Sequence, residues 1–541
     1  MKINLLNYFP ENDTPRDSQI TVFREIEKAI EDHVRFILIQ APTGSGKSYI
    51  SAVLSNYSNP PNSEYANLVN TDEIFKKSQA GYIHTGILDD ASPFGCVTLT
   101  VSKALQDQYR SLFGDSRVLK GRQNYLCELD DDFDCDFSPI CLLSKKTREK
   151  CMTDRKCPYV NARRDVLVSK FGVYNYSAYL TLPDHVKRRQ FIICDEASEL
   201  EDELVKHFSC TIDYTHYPKI TKLLTDDPTT AHKWLNDFIL IVKDEYDESL
   251  EAIQNKRIPE MRRTKLLGRT KYLKNTLEKL IQILKVWYKS EYVIEFDAKR
   301  VTFMPLYVNI LAQDFFKFGE TVILMSGTII DPKVFAKTLG IEEYKFIEVD
   351  SEFDPKASPI YCSDKICVNY ENLDAVLPEL IRKAALLCEA HKHEKGIIHT
   401  HNFRITKLLQ QKFADNKRFL FREEGITNEL LLKEHYERGD NTVIISPSLG
   451  FGTDLPDEFG RFQIIMKAPY LPLNSKRIKK LQQKNGKWYE LRTLINLVQM
   501  CGRTTRSKDD HSVTYILDGQ ATNLIKRNYQ KLPRWFLERI C

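Results

Sequence analysis

The sequence predicts an α/β protein that contains parallel β-sheets. Short apolar runs alternate with stretches of helical pattern, which is the order found when helices cover both faces of a parallel sheet. The chain has 541 residues, too many for one hydrophobic core. A hydrophobic content of 42% and a charged content of 28% are typical of a globular protein. We therefore expect several structural units rather than a disordered chain.

The composition predicts no membrane segment. No run approaches the roughly 18 apolar residues that a membrane helix needs. The N-terminal stretch is a poor signal peptide because Pro10 and Glu11 interrupt it. We expect a cytoplasmic protein, or a nuclear one in a eukaryote. The net charge of +4 neither demands nor excludes a nucleic-acid partner.

The first apolar run leads into a glycine-bearing loop. FILIQAPTGSGKSYIS, residues 36–51, has the strand, loop and helix order of a phosphate-binding loop, with Ala41 in place of the usual first glycine. Backbone N–H groups at a helix N-terminus favour phosphate. Lys47 would reach the β and γ phosphates, and Ser48 would bind Mg²⁺. The residues predicted to hold ATP here are Thr43, Gly44, Ser45, Gly46, Lys47 and Ser48.

A second apolar run, FIICDEAS, ends in two carboxylates and has the form of a Walker B element. Asp195 would hold Mg²⁺ through water, and Glu196 would orient the attacking water. Two acids after an apolar run are common by chance. Together with the phosphate-binding loop, they predict ATP hydrolysis.

Further segments resemble the motifs of superfamily 2 helicases. LVQMCGRTTRSKDD, residues 497–510, is similar to their QxxGRxxR motif, with Gln499, Gly502, Arg503 and Arg506 in place. Two arginines three residues apart on one helical face could both reach a γ-phosphate held by another domain. Four weaker segments occur in the expected order: RDSQ with Arg16 and Gln19, TVSKALQDQ at 100–108, MSGT at 325–328, and LGFGTDLPD at 449–457 with Gly452 and Asp454.

Five cysteines lie within 31 residues of one another, at positions 127, 135, 141, 151 and 157. In a reducing compartment, clustered cysteines are more often metal ligands than disulfides. Four cysteines suit a structural zinc site and a [4Fe–4S] cluster equally well. The cysteines alone leave both metals open.

The position of these cysteines resembles the XPD/DinG branch of superfamily 2, the Rad3-like helicases. That branch carries an iron–sulfur domain between motif Ia and the DEAH box, and GRQNYLC and CPYVNAR are similar to its opening and closing signatures. The resemblance runs from Phe9 to about Asp518 and favours a [4Fe–4S] cluster over zinc. It implies that the ligands are Cys127, Cys141, Cys151 and Cys157, with Cys135 as the alternative to Cys141.

The resemblance also implies an architecture. Two RecA-like parallel-sheet motor lobes are expected, the first from 1–115, 173–204 and 300–335 and the second from 340–541. The iron–sulfur domain would be 116–172 and a helical arch domain 205–299. Basic and aromatic residues in the iron–sulfur segment form a candidate patch for single-stranded nucleic acid: Arg122, Tyr125, Tyr159, Arg163, Arg164 and Lys170.

The function implied is an ATP-dependent DNA helicase. It would be a monomeric motor that moves 5′ to 3′ on single-stranded DNA and unwinds forked or 5′-tailed duplexes. One alternative is a translocase that remodels R-loops or protein–DNA complexes without extensive unwinding, and another is a nucleic-acid binding protein with a slow ATP switch. Ser198 replaces the histidine of the DEAH box, which calls into question the hydrogen bond that joins this box to Gln499.

Overall fold

This computed structural model describes residues 3–42, 44–71, 73–74, 93–135, 150–151, 153–218, 220–254, 259–362, 365–369, 371–422, 428–447, 455–505 and 509–541. None of the helices within these ranges combines the length and the apolar character needed to cross a bilayer.

The strands of the described residues are β1 (Phe36–Gln40), β2 (Cys96–Thr100), β3 (Arg117–Leu119), β4 (Leu126–Cys127), β5 (Asp130–Asp134), β6 (Phe171–Asn175), β7 (Arg189–Asp195), β8 (Cys210–Asp213), β9 (Tyr292–Phe296), β10 (Arg300–Pro305), β11 (Gly319–Ser326), β12 (Lys345–Glu348), β13 (Ile360–Tyr361), β14 (Gly396–His399), β15 (Phe419–Phe421), β16 (Val443–Ser446), β17 (Phe462–Ile465) and β18 (Val513–Ile516).

The α-helices of the same residues are α1 (Asp17–Glu31), α2 (Ser48–Tyr57), α3 (Ser63–Asn70), α4 (Lys103–Leu112), α5 (Pro158–Val168), α6 (Tyr176–Leu180), α7 (Leu200–His207), α8 (Pro228–Gln254), α9 (Glu260–Val286), α10 (Asn309–Phe316), α11 (Pro332–Thr338), α12 (Leu373–Ala390), α13 (Phe403–Lys412), α14 (Asn428–Glu437), α15 (Lys476–Lys484), α16 (Gly486–Cys501), α17 (Gly519–Arg527) and α18 (Arg534–Leu537).

The large sheet is parallel and has the strand order β12-β1-β11-β7-β2-β6-β3. Its strands are buried because helices cover both faces; on one of them, Val22 and Phe23 of α1 pack with Ile37 and Ile39 of β1. β11 lies between β1 and β7, and its last residue, Ser326, pairs with Gln40 at the end of β1. The ends of these three strands therefore meet at one edge of the sheet, where ligands bind in open α/β sheets.

The second sheet is also parallel, with the order β13-β18-β17-β14-β16-β15. Helices α12 and α13 pack against one face of it, through residues such as Leu380 and Leu409. Helix α16 packs with β17 and β18 through Leu494 and Val498. The predicted α/β class with two parallel RecA-like sheets is confirmed.

A small antiparallel sheet of order β8-β10-β9 lies beside the long helices α8 and α9. The sequence predicts mainly helix over 205–299, yet β8 and β9 fall in this range because they pair with β10. Residues 300–305, predicted for the first lobe, thus lie in the small sheet, and β12, beyond the predicted end at 335, joins the large one. The domain boundaries stay a prediction.

Candidate nucleotide-binding site

The phosphate-binding loop connects β1 to α2, as the sequence predicts. Gly44 and Gly46 have φ angles of +81° and +75°, a left-handed conformation that glycine adopts without strain. The Lys47 Nζ donates to the carbonyl oxygen of Ala41 at 2.9 Å, so its ammonium lies over the loop. Thr43 lies outside the described residues.

Arg16 and Gln19 hold this loop from the start of α1. The Arg16 Nη1 donates to the Gly44 carbonyl at 2.7 Å, and the Arg16 backbone N–H donates to Gln19 Oε1 at 3.0 Å. A Cβ atom on Gly46 would lie only 2.3 Å from Gln19 Nε2. The close approach requires glycine, and it brings both predicted Q-motif residues against the phosphate-binding loop.

A segment after β12 covers the loop from the other side. Glu352 accepts a hydrogen bond from Ser18 Oγ at 2.5 Å and lies 3.7 Å from Arg16 Nη1. The Phe353 ring packs on Gly44, where a Cβ atom would be 2.3 Å from Phe353 Cζ. Sequence reasoning missed these two residues because DSEFDP carries no signal by itself.

Asp195 ends β7 and is only 5% exposed. Its Oδ2 accepts a hydrogen bond from the Tyr109 hydroxyl at 3.0 Å, and its Oδ1 accepts one from the Glu196 N–H at 3.0 Å. Burial raises the pKa of Asp195 to about 6, the Glu196 charge adds to this, and Lys47 opposes it. The carboxylate is therefore an acceptor that a cation would stabilise.

Tyr109 is a site residue that sequence reasoning missed, although it follows the predicted motif Ia segment directly. Its hydroxyl interacts with Ser48 as well as with Asp195. The two oxygen donors expected to hold Mg²⁺ therefore lie close to one hydroxyl. Carboxylate and hydroxyl oxygens are ligands that suit Mg²⁺, so the residues present fit this cation.

Ser198 keeps the contact that the loss of histidine called into question. The Gln499 Nε2 donates to Ser198 Oγ at 3.0 Å, and the Ser326 Oγ donates to the same oxygen at 3.0 Å. Ser198 is 2% exposed. One hydroxyl thus joins the turn after β7, the end of β11 and helix α16.

Arg503 lies beyond the end of α16 rather than on it. The helix ends at Cys501 with Gly502 as its C-cap, so the expectation that Arg503 and Arg506 share a helical face is wrong. Arg506 lies outside the described residues.

The Arg503 guanidinium is buried opposite two carboxylates. Burial lowers the pKa of Arg503 to about 10, and the charges of Glu199 and Glu196 oppose this shift. Burial raises the pKa of Glu199 to about 7, and the Arg492 charge opposes it. Arg503, which follows the helix that packs on the second sheet, therefore faces the acidic turn of the large sheet.

Buried polar contacts join the two sheet units beside this site. The Arg477 Nη2 lies 2.7 Å from Glu201 Oε1, and the Trp488 indole N–H donates to Glu201 Oε2 at 2.8 Å. The Arg492 Nη1 donates to the Ser198 carbonyl at 2.6 Å. Removing one partner of a buried ion pair strongly destabilises a protein, because the other charge stays buried without compensation.

Two predicted positions cannot be placed in this site. Gly452 and Asp454 of the motif V segment lie outside the described residues. Among the predicted nucleotide residues that the structure describes, it brings together Arg16, Gln19, Gly44, Ser45, Gly46, Lys47, Ser48, Asp195, Glu196, Gln499 and Arg503.

Cys157 and Cys135 lie together in the cysteine segment. A hydrogen bond from Cys135 is the main cause that lowers the pKa of Cys157 to about 6, and the backbone N–H groups of Val160 and Tyr159 add to it. Cys157 is the N-cap of α5. The sequence favours Cys141 over Cys135 as a ligand; Cys141 lies outside the described residues, and Cys135 contacts a predicted ligand.

The fit of these cysteines to a metal centre is partial. Thiolates are the form that binds iron or zinc, and Cys157 has a lowered pKa beside a second thiol. Within the described ranges, no group of three or more Cys, His, Asp or Glu side chains is arranged to hold a metal ion. A four-thiolate set is thus not assembled there.

Four members of the predicted nucleic-acid patch lie together. The Arg122 guanidinium lies 5.1 Å from the centre of the Tyr159 ring, and Arg163 lies 6.0 Å from it. The Tyr125 and Tyr159 rings pack edge to face at 5.6 Å. The other two predicted members do not join this surface: Arg164 is buried, and the Lys170 Nζ donates to the Asn56 carbonyl in the last turn of α2.

Two models of known protein families match the chain. Residues 12–226 match the family described as "Type III restriction enzyme, res subunit", and residues 386–539 match "Helicase C-terminal domain". The first match contains Lys47 and Asp195, and the second contains Gln499 and Arg503. No curated protein matches the chain.

Solved structures match nearly the whole chain. One named "XPD_Helicase" is 14% identical, with 96% of this chain and 98% of that chain covered and a TM-score of 0.63. One named "XPD_APO" is 14% identical, with coverages of 93% and 96% and a TM-score of 0.55. "Structure of S. tokodaii Xpd4" is 12% identical, with coverages of 93% and 96% and a TM-score of 0.52. At 12–14% identity these structures show the shared fold, and the family match over residues 386–539 indicates a helicase C-terminal domain.

Proposed function

We propose that the chain is an ATP-dependent DNA helicase similar to XPD and DinG, moving 5′ to 3′ on single-stranded DNA. The observation that carries the proposal is the bridge at Ser198, where one hydroxyl accepts hydrogen bonds from Ser326 and Gln499. This bridge connects the acidic turn, the end of a central strand and the helix of the other sheet unit. A contact of this kind couples a change at the nucleotide to a movement between two units.

The positions of the side chains support the proposed hydrolytic roles. Lys47 binds the phosphates, while Ser48 and Asp195 hold Mg²⁺, which supplies charge neutralisation when bound. Glu196 orients the attacking water. Arg503 approaches the acidic turn from the second unit and stabilises charge on the γ-phosphate. ATP then acts between the two sheet units and draws them together.

The proposed DNA contact is the surface of Arg122, Tyr125, Tyr159 and Arg163. Its rings and guanidinium groups lie side by side; the exposed Arg122 is open to a phosphate, whereas two guanidinium nitrogens of Arg163 are buried. Residues 116–172 would serve as the wedge that separates a forked or 5′-tailed duplex. The monomeric state and the choice of DNA rest on the family resemblance.

We also propose a [4Fe–4S] cluster in this wedge. The contact between Cys135 and Cys157 and the lowered pKa of Cys157 support thiolate ligation. Cys127 and Cys151 would complete the set, with Cys135 or Cys141 as the remaining ligand. A bound cluster would supply iron–sulfur bonds that tie the segment together.

Strand displacement on tailed duplexes tests the motor function. We expect ATP-dependent unwinding of a 5′-tailed duplex, little unwinding of a 3′-tailed one, and none by the Lys47→Ala control. A preference for the 3′ tail would reject the polarity. DNA-stimulated hydrolysis without displacement would favour the translocase, and negligible hydrolysis would favour the binding switch.

Metal analysis of anaerobically purified protein tests the cluster separately. We expect about four irons per chain, with iron lost in Cys127→Ser, Cys151→Ser and Cys157→Ser. Comparing Cys135→Ser with Cys141→Ser identifies the remaining ligand, and the exposed Cys541→Ser is the matched control. Zinc without colour would reject the cluster and leave the motor proposal standing.

A further inference from the structure

Helix α12 has two apolar stripes, although a surface helix needs only one. The first stripe is buried against the second sheet and includes Leu373, Leu380 and Ala384. The second contains Pro378, Ile381, Ala385 and Leu386, and Leu386 is 58% exposed. This second stripe borders a groove, although Ile381 also packs against the core.

Helix α13 forms the opposite wall of this groove. Arg404, Lys407, Leu408 and Gln411 line it, and their spacing of three and four residues places them on one face of the helix. The cavity between the two walls has a volume of about 840 Å³. These side chains are distinct from those of the nucleotide site.

The groove has the length of a short helix. Its α12 wall runs from residue 374 to 386, about 18 Å at 1.5 Å per residue, and its α13 wall runs from 404 to 412, about 12 Å. A third helix packs about 8–10 Å from each neighbour. The longer wall can therefore seat about three turns, and the shorter wall about two.

The rim of the groove is positively charged. Arg404 pairs with Asp374 at 2.5 Å, and Arg382 pairs with Glu379 at 2.7 Å. Two more cations, Lys407 and Lys412, line the groove. Four positive charges therefore stand against two negative ones. The rim therefore complements an acidic ligand.

We propose that this groove binds an acidic amphipathic helix of a partner protein, about three turns long. The partner's aliphatic side chains would lie on Ile381, Leu386 and Leu408, and its carboxylates would face the cations of the rim. The described lining combines aliphatic and charged side chains and offers no aromatic face for base stacking, which favours a protein partner over single-stranded nucleic acid. The proposal stands independently of the helicase function.

A synthetic peptide tests the groove in the full-length protein. The probe is a fluorescein-labelled, lactam-bridged helix with leucines at i, i+3, i+4 and i+7 and glutamates on both flanks. We expect saturable binding by fluorescence anisotropy and no binding of a scrambled peptide of equal composition. Leu386→Asp should weaken binding roughly tenfold or more, as should the double variant Arg404→Glu with Lys407→Glu.

Leu430→Asp is the matched control. Leu430 lies on α14 in the same half of the chain and is 59% exposed, so this variant should bind the peptide as the wild-type protein does. Methyl NMR of Ile381 and Ala385 in the unchanged protein locates the peptide without a mutation. Shifts confined to these methyls would support the groove even if a variant misfolds.

Several results would overturn the proposal. Equal binding of the scrambled peptide, or an unchanged affinity in the folded Leu386→Asp variant, would show that the groove does not select a helix. Displacement of the peptide by a single-stranded oligonucleotide, with loss of oligonucleotide binding in the Arg404→Glu and Lys407→Glu variant, would assign the surface to nucleic acid. A dimer that Leu386→Asp dissociates in sedimentation would show that a second copy occupies it.

Discussion

Replacing Ser198 by alanine should weaken the contact between the two sheet units by about 1–3 kcal/mol. The variant loses the acceptor of two hydrogen bonds, from Ser326 and Gln499, and only the bond from Gln499 crosses between the units, because Ser326 ends β11 of the large sheet. A hydrogen bond contributes about 1 kcal/mol net, and a buried donor left without an acceptor costs about 1–3 kcal/mol. Ser326 is fully buried and Gln499 is partly buried. If hydrolysis requires this contact, DNA-stimulated ATPase activity should fall by roughly fivefold or more.

A double-mutant cycle measures the contact directly. Ser198→Ala, Gln499→Ala and the double variant are compared by kcat/KM for ATP with single-stranded DNA present. Because both single changes remove the same hydrogen bond, we expect a coupling energy of about 1 kcal/mol or more. Ser198→Thr, which retains the hydroxyl, should keep most of the activity. Additivity within about 0.5 kcal/mol would refute a direct energetic link.

Three further predictions concern neighbouring groups. The pKa of Glu199 is raised from 4.5 to about 7, so its ionised form destabilises the folded protein as pH rises through 7. In denaturant titrations, Glu199→Gln should raise the free energy of unfolding by up to about 3 kcal/mol at pH 9 and leave it unchanged at pH 4. An equal gain at both pH values would contradict this. Tyr109→Phe removes a hydrogen bond to Asp195 worth about 1.5–3 kcal/mol. The Mg²⁺ concentration needed for half-maximal ATPase activity should therefore rise roughly tenfold. An unchanged Mg²⁺ titration would exclude a role for Tyr109 in holding Asp195 for the cation. Arg477→Met leaves Glu201 buried without its cation at a cost of about 3–5 kcal/mol. Calorimetry should therefore show a lower melting temperature, which adding Glu201→Gln partly restores. A single variant that melts at the wild-type temperature would count against a buried ion pair.

The central strands could be predicted because each is an apolar run buried on both faces. FILIQA, CVTLTV, FIICDE and TVILMS correspond to β1, β2, β7 and β11. Shorter strands such as β12 and β13 have too few residues to show a period. Strand β10 was not predicted, although it forms a local hairpin with β9; its other partner β8 lies at least 87 residues earlier, and such a long-range pairing leaves no local signal.

The site residues also divide into those that the local sequence predicts and those that it does not. Lys47 and Asp195 lie in motifs whose function depends on a few consecutive residues, so local sequence suffices. Tyr109 lies 86 residues before Asp195, and Phe353 reaches the loop from beyond β12, so only the folded chain brings them in. The acidic sequence around Cys135 disfavours a thiolate, but the folded segment places Cys135 and Arg163 beside Cys157.

The position of β11 between β1 and β7 has a consequence for biosynthesis. β1 ends at residue 40 and β11 begins at residue 319, so the ribosome must add a stretch of about half the protein's length before the middle of the large sheet can close. At roughly 5–20 residues per second, this takes on the order of 15–60 s. During that time the edges of β1 and β7 lack their common neighbour, and exposed edges of this kind pair with other chains. The nascent protein should therefore depend on chaperones until β11 emerges, and truncation before residue 319 should yield aggregates.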